Sequence, residues 1–389
     1  MIWRGGVDTG HGFAGFILVL GIGILFFQIL QHASISEDAY ITFRTVDQFA
    51  QGNGLRWNAA DRVQVYTHPL WMLLHIPLYM AADNIAIVSF TLSVICAALA
   101  VWLPLTTFAY PPLLSLVAFI VPLTLSRTFI DYSTSGFENT LLHALFAWAG
   151  LILLRLREHP RFWYFISLCV ALSLTTRLDT IIFYAPLGLY LLVTQWRSIR
   201  WRQALAGLAP LVAWESFSLF YYGFLFPNTK YVKLDNGYDR LEALHRGVLY
   251  FLNLLAVDAL SVVWLMLAGL LTLWMINRYR STGQDICGIY FSLGAGILCY
   301  ALYVMYIGGY FVFGKSWSLP VYASIWLLCA QAYRVQPRSV AAAVACCCVT
   351  IVYPSLVARE AMPRLLSIRE DVLRRSEARA KLAVVDGLY

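Results

Sequence analysis

Long, almost uncharged apolar runs recur along the whole chain, at roughly 13–30, 84–103, 112–125, 139–154, 162–176, 180–194, 203–224, 257–276, 286–306, 319–332 and 338–356. In hydrocarbon every backbone N–H and C=O must be satisfied within the protein, which a helix does by itself. A full crossing takes about 20 such residues. Composition agrees, with 60% of residues hydrophobic and 13% charged, against about a quarter charged in soluble domains. The reading is an all-α polytopic membrane protein with about eleven transmembrane helices. The first run is long for a signal sequence and no A-x-A site follows it, so it is read as an uncleaved helix.

The basic residues orient the chain. With Arg4 inside, the clusters at Arg155–Arg161, Trp196–Arg202, Asn277–Arg280 and Tyr333–Arg338 all fall on one side, as the positive-inside rule requires. The stretch 68–81, apolar but short and with two Pro and two His, would invert every later loop if it crossed. It is therefore expected to lie in the interface. The external segments are then 31–83, 126–138, 177–179, 225–256, 307–318 and a basic tail, 357–389, expected as an amphipathic surface helix. The transmembrane unit is 1–356, with 31–83 as its large first loop. The eight cysteines lie in apolar stretches without a CxxC pair and read as small buried hydrophobes.

The external face collects the unusual polar residues. Glu37 and Asp38 follow the first crossing, where adjacent carboxylates are costly to place. Neighbouring helical residues point about 100° apart, so the two acids are expected to divide their roles. One carboxylate would serve as base for a hydroxyl. The structural alternative is a helix N-terminus with Ser36 as N-cap and the acids favoured by the dipole. Spacing from Ala39 to Gly54 predicts an amphipathic helix with Arg44 near the acids, as an ion pair or a phosphate ligand. Arg177 and Asp179 interrupt two apolar segments, as a structural pair or a phosphate site. Lys230 and Lys233 follow a Pro-Asn-Thr turn, as snorkelling side chains or phosphate ligands. Lys315 follows glycines that permit close backbone approach. Ser135, Glu138 and Asn139 open the fourth crossing.

Taken in order, the residues Glu37-Asp38-Ala39-Tyr40-Ile41-Thr42-Phe43-Arg44, Gly52-Asn53-Gly54-Leu55 with Asn58, and Tyr66-Thr67-His68-Pro69-Leu70-Trp71 resemble the GT-C superfamily of membrane glycosyltransferases. Ser135-Gly136-Phe137-Glu138, Thr176-Arg177-Leu178-Asp179, Tyr222-Gly223, Pro227-Asn228-Thr229 with Lys233, and Gly308-Gly309 with Gly314-Lys315 extend the likeness over about residues 36–320. It is nearest to the polyprenyl-phosphate-dependent arabinofuranosyltransferases, of the terminal arabinan and type IV pilin kinds. The chain departs from them at Gln64-Val65, Tyr310 and Lys315, which bear on donor and acceptor choice. Their long carboxy-terminal soluble domain has no counterpart here, which fits a compact enzyme with a protein acceptor.

The resemblance implies a GT-C fold whose first loop carries amphipathic juxtamembrane helices. It implies transfer of a sugar, arabinofuranose, from a polyprenyl phosphate to a protein or glycan hydroxyl, at the periplasmic face of a bacterial inner membrane. Asp38 would be the base, with Glu37 second. Arg44, Arg177, Lys230, Lys233 and Lys315 would hold the donor phosphate. Tyr40, Asn58, Tyr66, His68, Trp71, Glu138, Asp179, Asn228 and Tyr310 would contact substrate. No residue cluster has metal-ligand spacing, so no cofactor or tightly bound metal is expected, while a divalent cation bridging acid and phosphate stays open. The expected partners are the lipid-linked donor, the acceptor and membrane lipids, not nucleic acid. The rival reading is a lipid or lipid-linked-sugar transporter, which would gather its polar residues near the midplane in paired broken helices.

Overall fold

A computed structural model describes residues 9–225, 227, 240–309 and 313–332. Among these residues every regular element is helical, and each of the first ten apolar runs overlaps a helix. The eleventh run, 338–356, and the tail 357–389 lie outside the described residues. In chain order the helices begin with α1 (Thr9–Gln31), α2 (Ala39–Ala50), α3 (Pro69–Ala82), α4 (Ile85–Phe108) and α5 (Pro112–Leu125, with a π turn over Leu116–Ile120). There follow α6 (Arg127–Asp131), α7 (Asn139–Arg155), α8 (Phe162–Thr176), α9 (Thr180–Gln195), α10 (Trp201–Gly207) and α11 (Ala209–Tyr222). The last four described are α12 (Arg240–Val257), α13 (Ala259–Thr282), α14 (Asp285–Tyr306) and α15 (Ser318–Ala332).

Four helices are long and apolar enough to cross a bilayer: α1 from Gly12, α4, α13 and α14. The pair α10 and α11 adds a fifth if its 49° bend is a break within one span. The bend falls where Pro210 opens α11, a residue that cannot continue the hydrogen-bond ladder of α10. The expected eleven crossings are not reached on length alone. Helices α7, α8, α9 and α15 have 17, 15, 16 and 15 residues, about 22–26 Å at 1.5 Å per residue.

Two of these short helices make the centre of the bundle. Nearly every residue of α7 and α15 is buried, the signature of helices enclosed by protein on all sides. His143 of α7 reaches Ser318 of α15, with Nε2 and Oγ 2.8 Å apart, and the rings of Phe129, His143 and Tyr322 stack beside them. α4 packs along α7, α9 along α14, and α13 against both α14 and α15. Cys96, Cys169, Cys287 and Cys329 are buried as expected, whereas Cys299 is exposed.

Three expectations change. The helix after the acidic pair begins at Ala39 with Asp38, not Ser36, at its N-cap; the Ser36 carbonyl accepts from the Ala39 N–H at 3.0 Å in the turn before it. The segment 126–138 is not purely a loop, because Ser126 caps the short helix α6 by accepting from the Phe129 N–H at 3.2 Å. The segment 225–256 contains α12, 18 residues long. One face of α12 carries Gly247, packed directly on the Met305 carbonyl of α14, with Tyr250 and Leu254 buried. The other face exposes Leu241, Leu244, Val248, Leu252 and Leu255 at helical spacing.

Candidate functional site

Five segments distant in sequence meet at one end of the bundle. They are the start of α2, the turn before α3, the turn before α7, the α8–α9 link and the turn before α15. The joint between the first and third is made by Ser36 N–H, which donates to the Ser135 carbonyl at 3.0 Å. Gly136 lets the two approach: it sits at φ +80°, and a Cβ there would fall 2.8 Å from the Ala39 Cβ. The buried Trp71 of α3 locks the same turn by donating Nε1–H to the Gly136 carbonyl at 2.9 Å.

At this joint a chain of polar contacts runs through the protein. The Thr42 Oγ1 is 2.6 Å from His68 Nε2. His68 Nδ1 is 3.2 Å from Glu138 Oε2. Glu138 Oε1 accepts from Arg177 Nη1 at 3.0 Å, and Arg177 Nε donates to Asp179 Oδ1 at 3.0 Å, with a second ion-pair contact from Nη2 to Oδ2. Lys315 belongs to the same group. Its Nζ lies 3.3 Å from the Phe137 ring centroid, and its carbonyl accepts from Asn139 Nδ2 at 2.8 Å. The Glu138 side chain is fully buried, and His68 and Lys315 are each 6% exposed.

Burial governs the protonation states. It lowers His68 to about 4 against the pull of Glu138, so the ring is neutral at neutral pH. Burial also opposes ionisation of Glu138, but the surrounding His68, Lys315 and Arg177 override it and hold the carboxyl at about 2. Because His68 is neutral near pH 7, the cations that keep Glu138 ionised there are Lys315 and Arg177. For Arg177, burial acts against the charge and the Asp179 and Glu138 carboxylates outweigh it, so its pKa is raised. A carboxylate beside Nδ1 favours the ring proton on that nitrogen, leaving Nε2 to accept from Thr42. Ser135 Oγ, Thr134 Oγ1 and Asn139 Oδ1 are buried without a hydrogen-bond partner among the described residues. A buried polar group of this kind costs about 1–3 kcal/mol when left unsatisfied.

The acidic pair stands beside this chain. Glu37 is exposed and Asp38, at the N-cap position of α2, is half-buried and makes no side-chain capping bond. Glu37 lines an open cleft of about 650 Å³ together with Tyr40, Arg44, Asp47, Trp57 and Tyr79.

The other expected residues divide. Arg44 does not pair with the acids: it donates to the Trp57 carbonyl at 3.0 Å and to Asn58 Oδ1 at 3.1 Å, with its guanidinium 4.4 Å above the Trp57 ring. Asn58 is thus a partner of Arg44. Tyr66 is buried, its hydroxyl 2.8 Å from that of Tyr222, which donates to the Leu55 carbonyl at 2.6 Å. Asn228, Lys230, Lys233 and Tyr310 lie outside the described residues. Thr42, Asp47, Trp57 and Tyr79 were not singled out as site residues. In the sequence Thr42 stands within the Glu37–Arg44 run, and Asp47 and Trp57 belong to the polar segment that follows the acidic pair. Among the described residues no group of His, Cys, Asp and Glu is arranged to hold a metal ion.

Fold and site together define an all-helical, multi-pass membrane protein with a buried ionic chain where its turns meet. The chain is similar to the terminal β-(1→2)-arabinofuranosyltransferase of Corynebacterium glutamicum, 24% identical over 340 residues, which cover 74% of this chain and 46% of that protein. The chain therefore spans about half the length of that relative. No family model and no solved structure matches it.

Proposed function

We propose that this protein is a membrane glycosyltransferase of GT-C type. It moves a sugar, arabinofuranose, from a polyprenyl-phosphate donor to an acceptor hydroxyl on the periplasmic face of the inner membrane. The observation that supports the reading is the buried Glu138 with Arg177 and Lys315, in turns that the Ser36–Ser135 bond ties to the segment bearing Asp38. The likeness to the corynebacterial enzyme supports the sugar. The acceptor is a protein side chain or a glycan end.

In this reading the acceptor O–H gives its proton to the Asp38 carboxylate as the oxygen attacks the anomeric carbon. The bond from that carbon to the donor phosphate breaks, and its electron pair leaves with polyprenyl phosphate. Fixed cations near the departing oxygen lower the barrier because they favour the charge that develops there. Lys315, Lys230 and Lys233 are the phosphate ligands of this reading, while Arg177 is held by Glu138 and Asp179. Glu138 and His68 hold Arg177 and the turn before α7 in register.

Purified protein in lipid, offered a panel of radiolabelled polyprenyl-phosphate sugars, tests this. Turnover of the arabinofuranosyl lipid is expected, falling by about 10²–10⁴-fold in Asp38→Asn, the usual worth of a general base. Full turnover in that variant would move the base to Glu37. Silence with every donor would favour the transporter, for which the bent pair α10–α11 is the one supporting feature among the described residues.

A further inference from the structure

The cleft beside Glu37 shares no lining residue with the buried ionic chain. Its lining is distinctive. Four aromatic side chains, Tyr40, Phe43, Trp57 and Tyr79, share it with two carboxylates, Glu37 and Asp47, and with Arg44. The polar wall is preorganised: Asp47 accepts from Tyr79 Oη at 3.0 Å through one oxygen and from Gln51 Nε2 at 2.8 Å through the other. Arg44 is fixed on the Trp57 carbonyl and Asn58. The volume, about 650 Å³, is ordinary for a small-molecule site, which spans about 300–1,000 Å³.

The chemistry selects the occupant. A phosphate is disfavoured because two carboxylates face it against one guanidinium, and that guanidinium is already bonded within the protein. A polyprenyl chain is disfavoured because a wall bearing Glu37, Arg44 and Asp47 would have to be desolvated against hydrocarbon. A sugar satisfies both halves of the lining. The C–H face of a sugar ring packs on an aromatic ring, and its hydroxyls donate to carboxylates that keep free lone pairs. We infer that this cleft binds the terminal sugars of a neutral glycan. On the transferase reading above, on which this step rests, that glycan is the acceptor. Glu37 then marks the point where the bound chain end leaves the cleft toward Asp38, one residue on.

Binding of arabinotetraose, xylotetraose and mannotetraose to the protein in nanodiscs can be followed by saturation-transfer NMR and calorimetry. At least one of the three should bind saturably. Affinity should fall at least tenfold in Trp57→Ala and in Asp47→Asn and recover in Trp57→Phe, with thermal unfolding checking that each variant is folded. Displacement of the sugar by decaprenyl phosphate or inorganic phosphate would overturn the inference by making the cleft an anion or donor site. So would wild-type protein that turns over the donor onto a Ser/Thr peptide and binds no oligosaccharide, an outcome that leaves the transferase standing. Oligosaccharide binding lost in Trp57→Ala, without turnover of any donor, would uphold the cleft and remove the transferase.

Discussion

Glu138 carries a buried charge that its neighbours hold in place. It is fully buried, it faces His68 on one oxygen and Arg177 on the other, and its ionisation depends on neighbours from separate turns. The consequence is acid lability. The folded protein holds His68 at about 4 and Glu138 at about 2, each below the value of an unfolded chain. Between those values and the unfolded ones, near 6.5 and 4.5, the unfolded state binds more protons. Stability is therefore full above about pH 6.5 and falls as pH drops, first through the His68 window and then through that of Glu138. Thermal unfolding in detergent across this range should show the decline. His68→Gln should remove its upper part, and a midpoint flat from pH 7 to 5 would refute the assignment. The sequence marked His68, Glu138, Arg177 and Asp179 as unusual but not as one chain, because contacts between turns depend on how the helices pack.

At the scale of elements, the placement of α2 rests on the turn before α7. Gly136 at φ +80° leaves no room for a side chain against Ala39, Ile35 and Phe43. Gly136→Ala should destabilise by about 1–3 kcal/mol, from the left-handed backbone and the clash together. On the transferase reading it should also lower turnover, since Glu37 and Asp38 lead directly into the displaced helix. Denaturant midpoints and turnover measured together check this, and a variant with unchanged values of both would show that the turn yields freely. The sequence displayed α2 and α3 through their spacing and their terminal Gly and Pro residues. It concealed α12, whose first two turns mix Arg240, Glu242, His245 and Arg246 with its apolar residues, so the segment reads as a loop.

For the whole molecule, the apolar runs made the helical architecture legible, because each is chemically fit for nothing but a protein or lipid interior. The number of crossings was less legible, since α7 and α15 are short helices buried by their neighbours. Orientation came from the basic loops alone. Single cysteines at Arg157 and at Glu37 in a cysteine-free background should label from opposite sides of sealed membrane vesicles. Labelling of both from one side would break the eleven-crossing topology while leaving the described packing intact.

The chain from Thr42 through His68, Glu138 and Arg177 to Asp179 also has an evolutionary meaning. Its links come from four places in the sequence, yet none can change its charge or hydrogen-bonding role alone without leaving the next unpaired. Drift at these positions is therefore epistatic. Compensating changes must arrive together, and a chimera that imports one of these turns from a distant homologue will fail unless the others travel with it.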